Sequence, residues 1–493
     1  MRKLLLFFAF ALFLVPCNAS AGKPKGHHLY IISTNDMHSN IDDMPRLATL
    51  VQEYEAKGEV IVVDSGDRII GNAYVDDDSR PGMPMIELMN EVGYDIVTLG
   101  NHEFDKGPAV LENMIQGSDF AWVCANVEVL GSMKPIKPYK IVRYKGAKIG
   151  FVGVVTTDMG GRPAGNKSSY TTFAFTPDRE TAYTIGERLD DRCDFEILLS
   201  HMGFESDQRL AAMDSEYDWI AGGHSHDVAG GYYDDSYISQ NRKEIRYVTI
   251  ADLYIERGDI EHVTYEQVKI ADYAKDPHIE AIVEAIKARD PELNTVEMRM
   301  LQPATQDGIA NFTNKALATY PYPDGFIPEV CFYHYGGVRL SHIARGDVKR
   351  VTLLNNDPFV STIYIGEMTA EQMRRFILDK YNSGTVEQPD KESHYNYFRS
   401  TIPYTIVVSN SISPISGKHD AVDVLFPTLE EGRTYRVAMC NYIAENYIDE
   451  ALVETQFEGL EITVREAMLR LARKYGIKGY TPDNNVYQTE TKE

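Results

Sequence analysis

Polar side chains able to bind metal ions recur in the first half of the chain, each close behind a short apolar segment. They are Asp36, His38, Asp67, Asn101, His201, His224 and His226. Taken singly, each is typical of a turn residue, a helix cap or a buried histidine. Their joint appearance behind successive apolar segments indicates one shared site.

The residue types in this set suit a pair of divalent metal ions. Carboxylate oxygens, an amide oxygen and imidazole nitrogens together fit Zn, Mn or Fe. In a two-metal site the ions lie about 3.5–4 Å apart, so one ligand must bridge them. Asp67, a short carboxylate after Gly66, is the expected bridge.

The stretch GNHEFDKG, residues 100–107, sets further polar side chains beside Asn101. One interpretation is an ordinary polar turn built on Gly100 and Asn101. The other is that His102 and Asp105 belong to the same metal site as Asn101.

Only a fold that brings distant segments together can assemble such a site, and the apolar pattern predicts one. Buried strands are expected over 28–34, 60–65, 94–100, 148–156, 195–203 and 217–226. Amphipathic helices are expected over 44–58 and 83–93. This alternation indicates an α/β layered fold, whose ligands bind at the carboxyl ends of the strands.

The length of 493 residues suits two or three domains. The α/β pattern covers 24–271, and a polar helical stretch over 272–296 is expected to connect it to a second region. That second region, 297–482, predicts an α+β fold, and residues 483–493 are expected to form a frayed tail.

Residues 1–21 have the parts of a secretory signal peptide. A basic start precedes an apolar run over 4–15, and small residues over 19–21 suit a cleavage site. No other long apolar run follows, so the sequence predicts an exported protein, periplasmic or extracellular, without an integral membrane span. A lipid anchor through Cys17 is the alternative.

The net charge of the chain bears on the kind of partner that it can bind. The net charge of −24, from 73 acidic and 49 basic residues, argues against a nucleic-acid partner. A protein of this charge must handle phosphates through a local site, most simply with metal cations.

Buried free thiols, rather than disulfides, are expected for Cys124, Cys193, Cys331 and Cys440.

The order of these motifs resembles that of the calcineurin-like metallophosphoesterases. The motifs are Asp-x-His at 36–38, Gly-Asp at 66–67, Gly-Asn-His-Glu at 100–103, a lone histidine at 201 and Gly-His-x-His at 223–226. The stretch GNHEFDKG and the two-domain layout resemble the secreted 5′-nucleotidases. The resemblance implies a metallophosphoesterase α/β sandwich joined by a helical linker to a substrate-binding α+β domain of 5′-nucleotidase type.

The resemblance also implies a role for each residue. One metal ion would be bound by Asp36, His38, Asp67 and His226. The other would be bound by Asp67, Asn101, His201 and His224. His226 stands where relatives often have glutamine. His102 would stabilise charge on the phosphoryl oxygens without binding metal, and Asp105 would hold its ring. Two cations would attract a phosphate and lower the pKa of a water molecule towards neutrality.

In the second region the resemblance to 5′-nucleotidases is weaker. In HYGGVR, residues 334–339, Arg339 matches a motif arginine and His334 replaces an asparagine. Tyr442 occupies the position of one base-stacking aromatic, whereas Ile363 replaces the other. Arg339, Tyr442 and His334 are therefore expected to bind substrate. The alternatives are a surface ion pair for Arg339 and a half-buried sheet aromatic for Tyr442.

Three further polar residues lie near the motifs in the sequence. Asp158 is interpreted as a loop residue and Asn126 as a structural amide. Arg68 is expected either to hold phosphate or to form an exposed salt bridge.

The sequence therefore predicts an exported metal-dependent hydrolase of nucleoside 5′-monophosphates or related nucleotides. Alternative substrates are 2′,3′-cyclic nucleotides, nucleotide sugars, other phosphoesters and thiosulfate esters. A protein of another class, which binds without catalysis, is disfavoured because every expected ligand is present. The native metals and the oligomeric state are not specified by the sequence.

Overall fold

The structure, a computed structural model, describes residues 26–383, 398–412 and 419–492. The predicted signal peptide and Cys17 lie outside the described residues. Within these ranges, no helix combines the length and apolar character needed to cross a membrane.

The first region alternates strands with helices. Its strands are β1 His27–Thr34, β2 Glu59–Asp64, β3 Tyr94–Val97, β4 Ala121–Trp122, β5 Val127–Val129, β6 Tyr139–Tyr144, β7 Ala147–Val155, β8 Phe173–Phe175, β9 Phe195–His201, β10 Trp219–Gly222, β11 Val228–Tyr233, β12 Ser236–Asn241, β13 Tyr247–Glu256 and β14 Asp259–Lys269. Its helices are α1 Met44–Glu55, α2 Ala73–Asp76, α3 Met83–Val92, α4 Pro108–Gly117, α5 Asp178–Leu189, α6 Phe204–Ala211 and α7 Pro277–Lys287. The helices predicted over 44–58 and 83–93 are confirmed as α1 and α3.

Two six-stranded sheets form the centre of this region. The strand order is β14-β13-β1-β2-β3-β4 in one sheet and β11-β12-β10-β9-β7-β6 in the other. Strands β1, β2 and β3 run parallel, as do β7, β9 and β10. Parallel strands end at the same edge of a sheet, so each sheet gathers its strand ends on one side.

The two sheets pack face to face, and helices cover their outer faces. Leu29 and Ile31 of β1 share a buried core with Trp219 of β10 in the other sheet. Tyr30 and Ile32 of β1 point to the opposite face and pack in the helical layer. Strands buried on both faces have continuous apolar sequences, which makes them recognisable in the sequence. The α/β sandwich predicted from the sequence is confirmed.

The segment predicted to connect the two regions contains α7. Ile279, Val283 and Ile286 of α7 are buried in the helical layer of the first region. The carboxylate of Asp276 caps this helix by accepting a 2.9 Å hydrogen bond from the backbone N–H of Ile279. This part of the predicted connecting segment therefore completes the helical layer of the first region.

The second region mixes strands and helices. Its strands are β15 Val296–Met300, β16 Ala304–Thr305, β17 Val330–His334, β18 His342–Ile343, β19 Gly346–Lys349, β20 Thr362–Thr369, β21 Phe398–Ser400, β22 Tyr404–Ile412, β23 His419–Leu425, β24 Thr434–Cys440, β25 Phe457–Thr463 and β26 Gln488–Lys492. Its helices are α8 Gln306–Thr319, α9 Arg350–Leu354, α10 Ala370–Ser383, α11 Asn441–Tyr447, α12 Glu450–Gln456 and α13 Val464–Tyr475. A mixed sheet, ordered β21-β17-β24-β20-β25, carries the core. The predicted α+β fold is confirmed.

The last described residues are ordered as a strand, whereas the sequence predicts a frayed tail. Strand β26 pairs in parallel with β22. The buried amide of Gln488 donates hydrogen bonds to the carbonyls of Ser400 and Ile402, each at 3.3 Å. Backbone pairing and this anchored side chain hold a segment whose composition alone suggests disorder.

The four cysteines of the described chain are free thiols, as the sequence predicts. Cys124, Cys331 and Cys440 are buried, and Cys193 is half-buried. Burial raises the pKa of the Cys124 thiol to about 12, so the thiol stays protonated and behaves as a small apolar group.

Candidate active site

The strand ends of the two sheets meet at one place and carry the predicted metal set. The loop after β1 is fastened to the loop after β2 by two backbone hydrogen bonds of 2.9 Å, from Asp36 N–H to Gly66 and from His38 N–H to Asp67. The other sheet is joined on by the backbone N–H of His224, which donates to the carboxylate of Asp36 at 3.0 Å. Residues far apart in the sequence thereby share one cluster.

The first group in this cluster consists of Asp36, His38 and His226, whose ligand atoms lie within 4.8 Å of one another. His226 Nε2 lies 3.4 Å from Asp36 Oδ1 and 3.0 Å from His38 Nε2. The other carboxylate oxygen of Asp36 accepts a 2.6 Å hydrogen bond from the amide of Asn35. One carboxylate and two imidazole nitrogens thus converge on a point where a divalent cation fits.

The second group consists of Asp67, His201 and His224, together with the amide oxygen of Asn101. His201 Nε2 lies 3.1 Å from Asp67 Oδ2 and 3.3 Å from Asn101 Oδ1. His224 Nδ1 lies 3.1 Å from the same amide oxygen. The donor set is again carboxylate, amide oxygen and imidazole, as divalent transition metals prefer.

Asp67 connects the two groups. Besides its contact with His201, its carboxylate belongs to a group with His38 and His102 whose ligand atoms lie within 4.8 Å of one another. Asp67 is buried, and its Oδ1 accepts a 2.8 Å hydrogen bond from the backbone N–H of His102. Its carboxylate therefore stands where a shared ligand is needed.

Hydrogen bonds on the far side of two rings fix which nitrogen faces the cluster. His38 Nδ1 lies 3.1 Å from the carbonyl of Ile70, and His201 Nδ1 lies 2.7 Å from the carbonyl of Ser65. A carbonyl only accepts, so each Nδ1 carries a proton and each ring is turned with Nε2 towards the cluster.

Five residues of the cluster adopt the left-handed backbone region that side chains disfavour. Their φ angles are 49° for Asp36, 44° for His38, 57° for Asp67, 79° for His224 and 59° for His226. Each such residue costs on the order of 1–3 kcal/mol, and such costs concentrate at functional sites. The backbone strain and the side-chain convergence occur at the same residues.

Gly100 is required by the close approach of two loops. A Cβ atom at Gly100 would lie 2.1 Å from Asp67 Oδ1 and 2.5 Å from the Asp67 backbone nitrogen. Any side chain here would displace the carboxylate that connects the two groups. The glycine before Asn101 therefore serves the site and not merely the turn.

Glu103 holds together the loops that carry the site, a role that the sequence analysis did not predict. Its buried carboxylate accepts hydrogen bonds from the backbone N–H groups of Gly100, Asp67 and Arg68 at 2.6, 2.9 and 2.9 Å.

Both interpretations of Arg68 are wrong, because its side chain is fully buried and pairs with Asp64 at 2.9 Å. Asn126, interpreted as a structural amide, does bond the backbone of Val155 through both amide atoms.

His102 and Asp105 form a pair at the rim of the cluster. His102 Nδ1 lies 2.7 Å from Asp105 Oδ2, and His102 Nε2 lies 3.8 Å from Asp67 Oδ2. Burial opposes protonation, but the carboxylates of Asp67 and Asp105 outweigh it and raise the pKa of His102. The ring is thus held by Asp105, with Nε2 turned towards the cluster.

The neighbouring ring, His38, is held neutral. Burial, together with the charges of Arg339 and His226, places the pKa of His38 well below its usual range. Although burial opposes ionisation of Asp67, the nearby imidazoles of His201 and His102 hold its pKa well below normal. A neutral imidazole and an ionised carboxylate are the forms that bind metal ions.

The second region reaches the cluster through Arg339 and Phe359. Arg339 Nη2 lies 3.3 Å from Nδ1 and 3.4 Å from Nε2 of His38, so the guanidinium lies against the ring face and not on a lone pair. The ring of Phe359 lies 5.6 Å from that of His102, and Arg339 lies 5.7 Å above the Phe359 ring. The surface ion pair considered for Arg339 is wrong. Phe359 lies four residues before Ile363, in the segment that resembles a base-stacking one, but Phe359 itself was not expected at the site.

His334 and Tyr442, also expected at the substrate, stack on each other. Their ring centres lie 4.4 Å apart at an interplanar angle of 30°, which leaves no space for a base between them. Tyr442 lies on helix α11, so its interpretation as a sheet aromatic is wrong. Burial, assisted by Lys380 and Arg339, lowers the pKa of His334 to about 3, and the ring is therefore neutral.

Comparison with known families and proteins agrees with this architecture. Residues 29–228 match the family Calcineurin-like phosphoesterase, and residues 288–450 match 5′-nucleotidase, C-terminal domain. The solved structure of a 5′-nucleotidase precursor from Thermus thermophilus superposes with a TM-score of 0.77 at 18% identity, over 94% of this chain and 99% of that one. At that identity the likeness shows the fold.

Two curated relatives align over most of the chain. Protein UshA of Yersinia enterocolitica is 24% identical over 86% of each protein. The trifunctional nucleotide phosphoesterase protein YfkN of Bacillus subtilis is also 24% identical, over 84% of this chain. The chain spans only 32% of that much longer relative. The two family matches follow one another along the chain and agree with the matching fold, so the chain contains a calcineurin-like phosphoesterase domain followed by a 5′-nucleotidase C-terminal domain.

Proposed function

We propose that this protein is an exported two-metal phosphohydrolase that converts nucleoside 5′-monophosphates, or closely related nucleotides, into nucleoside and phosphate. The observation that carries the proposal is the convergence of two ligand groups joined by Asp67. A site for one metal would need only one of these groups.

The proposed ligands divide between two ions. One ion would take Asp36, His38, Asp67 and His226. The other would take Asp67, Asn101, His201 and His224. The donor set fits Zn, Mn or Fe, and the neutral state of His38 and the ionised state of Asp67 fit metal binding.

The mechanism then follows from the residues around the ions. Bound divalent cations supply positive charge that draws in the phosphoryl group and lowers the pKa of the attacking water. Arg339, with its fixed positive charge against His38, neutralises and orients the phosphoryl oxygens. His102 is held by Asp105 with Nε2 turned towards the cluster, so it donates a hydrogen bond to a phosphoryl oxygen or a proton to the leaving oxygen.

Asp105 keeps His102 in the productive tautomer. Since Asp105 accepts from Nδ1 at 2.7 Å, the Nε2 atom remains directed at the cluster. The general acid and its orienting carboxylate thus lie on one short segment, and Gly100 holds that segment against Asp67.

Nucleotides are the proposed substrate class because of the second region. Arg339 brings a cation from that region into the cluster, and Tyr442, stacked on His334, offers an aromatic surface of the same region. Stacking of a base on one aromatic face contributes about 1–3 kcal/mol, and with Ile363 in the other aromatic position we expect modest base selectivity. The name of the relative YfkN, a nucleotide phosphoesterase, supports this class.

Export is proposed from the sequence of residues 1–21. Mass spectrometry of the secreted protein tests it. A mature N-terminus close to residue 22 supports a cleaved signal peptide, whereas an acylated N-terminal Cys17 supports the lipid anchor.

One experiment tests the catalytic proposal as a whole. The purified protein is analysed for bound metals and assayed with nucleoside 5′-monophosphates, cyclic nucleotides, nucleotide sugars, an aryl phosphate and a thiosulfate ester. Two ions per chain and the highest kcat/KM on a nucleoside 5′-monophosphate support the proposal. Preference for another ester reassigns the substrate, and two bound ions without turnover of any ester favour a binding protein.

A further inference from the structure

His224 faces two acceptors, one on each side of its ring. Nδ1 lies 3.1 Å from the amide oxygen of Asn101, inside the cluster. Nε2 points away from the cluster and lies 3.4 Å from Oδ2 of Asp158. The ring therefore presents Nδ1 inward, the reverse of His38 and His201, which present Nε2.

Asp158 is held in place by the end of β7. The backbone N–H of Thr156 donates to the carbonyl of His201 at 2.9 Å. The N–H of Thr157 donates to the carboxylate of Asp178 at 2.8 Å, and the N–H of Asp158 donates to Thr156 Oγ1 at 3.3 Å. The loop that carries Asp158 is thus fixed to a strand that already supplies part of the site.

We propose that Asp158 is a positioning residue for His224. Its carboxylate accepts the Nε2–H of His224, which leaves the Nδ1 lone pair directed at the metal position beside Asn101. This inference rests on the proposed function, because it assumes that His224 binds a metal ion. The sequence motifs gave no role to Asp158.

The arrangement completes a pattern seen at two other rings. His38 and His201 are oriented by backbone carbonyls, which no substitution of a side chain can remove. His224 uses a side-chain carboxylate, which raises the basicity of the ring more than a carbonyl does. Of these three hydrogen-bond partners, Asp158 is therefore the one that a side-chain substitution can remove.

The side chain of Asp158 is 48% exposed, so its truncation leaves little cavity in the core. Removing such a partner weakens metal binding by about 10–100-fold. We expect D158A to bind two Mn²⁺ ions, one with wild-type affinity and the other about 10–100-fold more weakly. The D158N variant should lose less, because its amide oxygen still accepts the hydrogen bond.

Calorimetric titration of the metal-free full-length protein with Mn²⁺ measures both affinities. The control variant D191A removes an exposed carboxylate from the same region and should match wild type. A double-mutant cycle separates positioning from a general structural effect. With His224 replaced by alanine, the additional change D158A should alter the remaining affinity by less than about twofold.

Two results would overturn the inference. One is a D158A protein whose two Mn²⁺ affinities equal those of wild type. The other is a D158A effect that persists undiminished in the H224A background. A wild-type protein that binds no Mn²⁺ contradicts the proposed function itself, and the two failures are therefore distinguishable.

Discussion

Arg339 of the second region lies against the imidazole of His38 in the first, with Nη2 3.3 and 3.4 Å from the two ring nitrogens. Two segments separated by some 300 residues in the chain thus meet at the cluster of proposed metal ligands. A cation this close to a neutral ring gains little from the ring itself. This position places the guanidinium where the proposed phosphate substrate would meet it.

Replacing Arg339 by alanine should weaken turnover of phosphate esters. A charge-assisted hydrogen bond contributes about 1.5–3 kcal/mol, so kcat/KM should fall by about 10–150-fold. Steady-state kinetics with AMP measures this fall. The matched control is R345A, which removes an exposed arginine of the same region and should leave kcat/KM unchanged. Equal kcat/KM for R339A and wild type would contradict a role for Arg339 at the substrate.

Replacing His102 by asparagine should chiefly lower turnover while the metals still bind. General acid–base catalysis contributes about 10²–10⁴-fold, and kcat should fall within that range. Metal analysis of the same protein by mass spectrometry should still find two ions per chain. If metal content falls in step with kcat, His102 is a ligand and the assignment is wrong.

The strand ends that carry the site could be predicted because strands such as β1, β9 and β10 are buried on both faces. Such strands are uninterrupted apolar runs, and polar residues behind them stand out, as Asp36 and His224 do. Glu103 and Phe359 could not be found in this way. Glu103 acts through backbone N–H groups of other loops, and Phe359 approaches His102 only because the two regions pack together.

The errors concern side chains whose role depends on burial or on tertiary pairing. Arg68 follows Asp67 in a polar loop, but tertiary packing buries it beside Asp64 and over the ring of Trp122. The tail looked frayed because its composition is polar, yet the edge of β22 offered it backbone partners. A single sequence contains no direct signal of either partner.

Replacing Gly100 by alanine should remove metal binding together with activity. The added methyl group would lie 2.1 Å from Asp67 Oδ1, so the connecting carboxylate must move. Because this carboxylate serves both groups, we expect Mn²⁺ affinity to fall at both positions. Calorimetric titration measures the loss. G131A is the control, since its methyl group would meet only Thr172 at an ordinary 3.5 Å. A G100A protein with two unaltered affinities would show that Asp67 does not connect the groups.

Glu196 should make the metal-free protein less stable as pH rises. Both carboxylate oxygens are buried without a hydrogen-bond partner among the residues that the structure describes, and burial, with Asp218 next, raises the pKa of Glu196 from 4.5 to about 8. Between these two values the folded state binds the proton and the unfolded state does not. The free energy of unfolding therefore contains a contribution that is full below pH 4.5 and declines as pH rises towards 8.

The E196Q variant carries no titrating group at this position and should lack that decline. Urea unfolding of both proteins in EDTA, at several pH values between 5 and 8, measures the difference. We expect the stability of wild type relative to E196Q to fall by about 1–3 kcal/mol across this range, because one pKa unit corresponds to about 1.4 kcal/mol and partial solvation reduces the full effect. Glu205, half-buried on helix α6 and paired with Arg209, supplies the control variant E205Q, which should follow wild type. Parallel pH profiles for wild type and E196Q would mean that Glu196 titrates alike in the folded and unfolded chains.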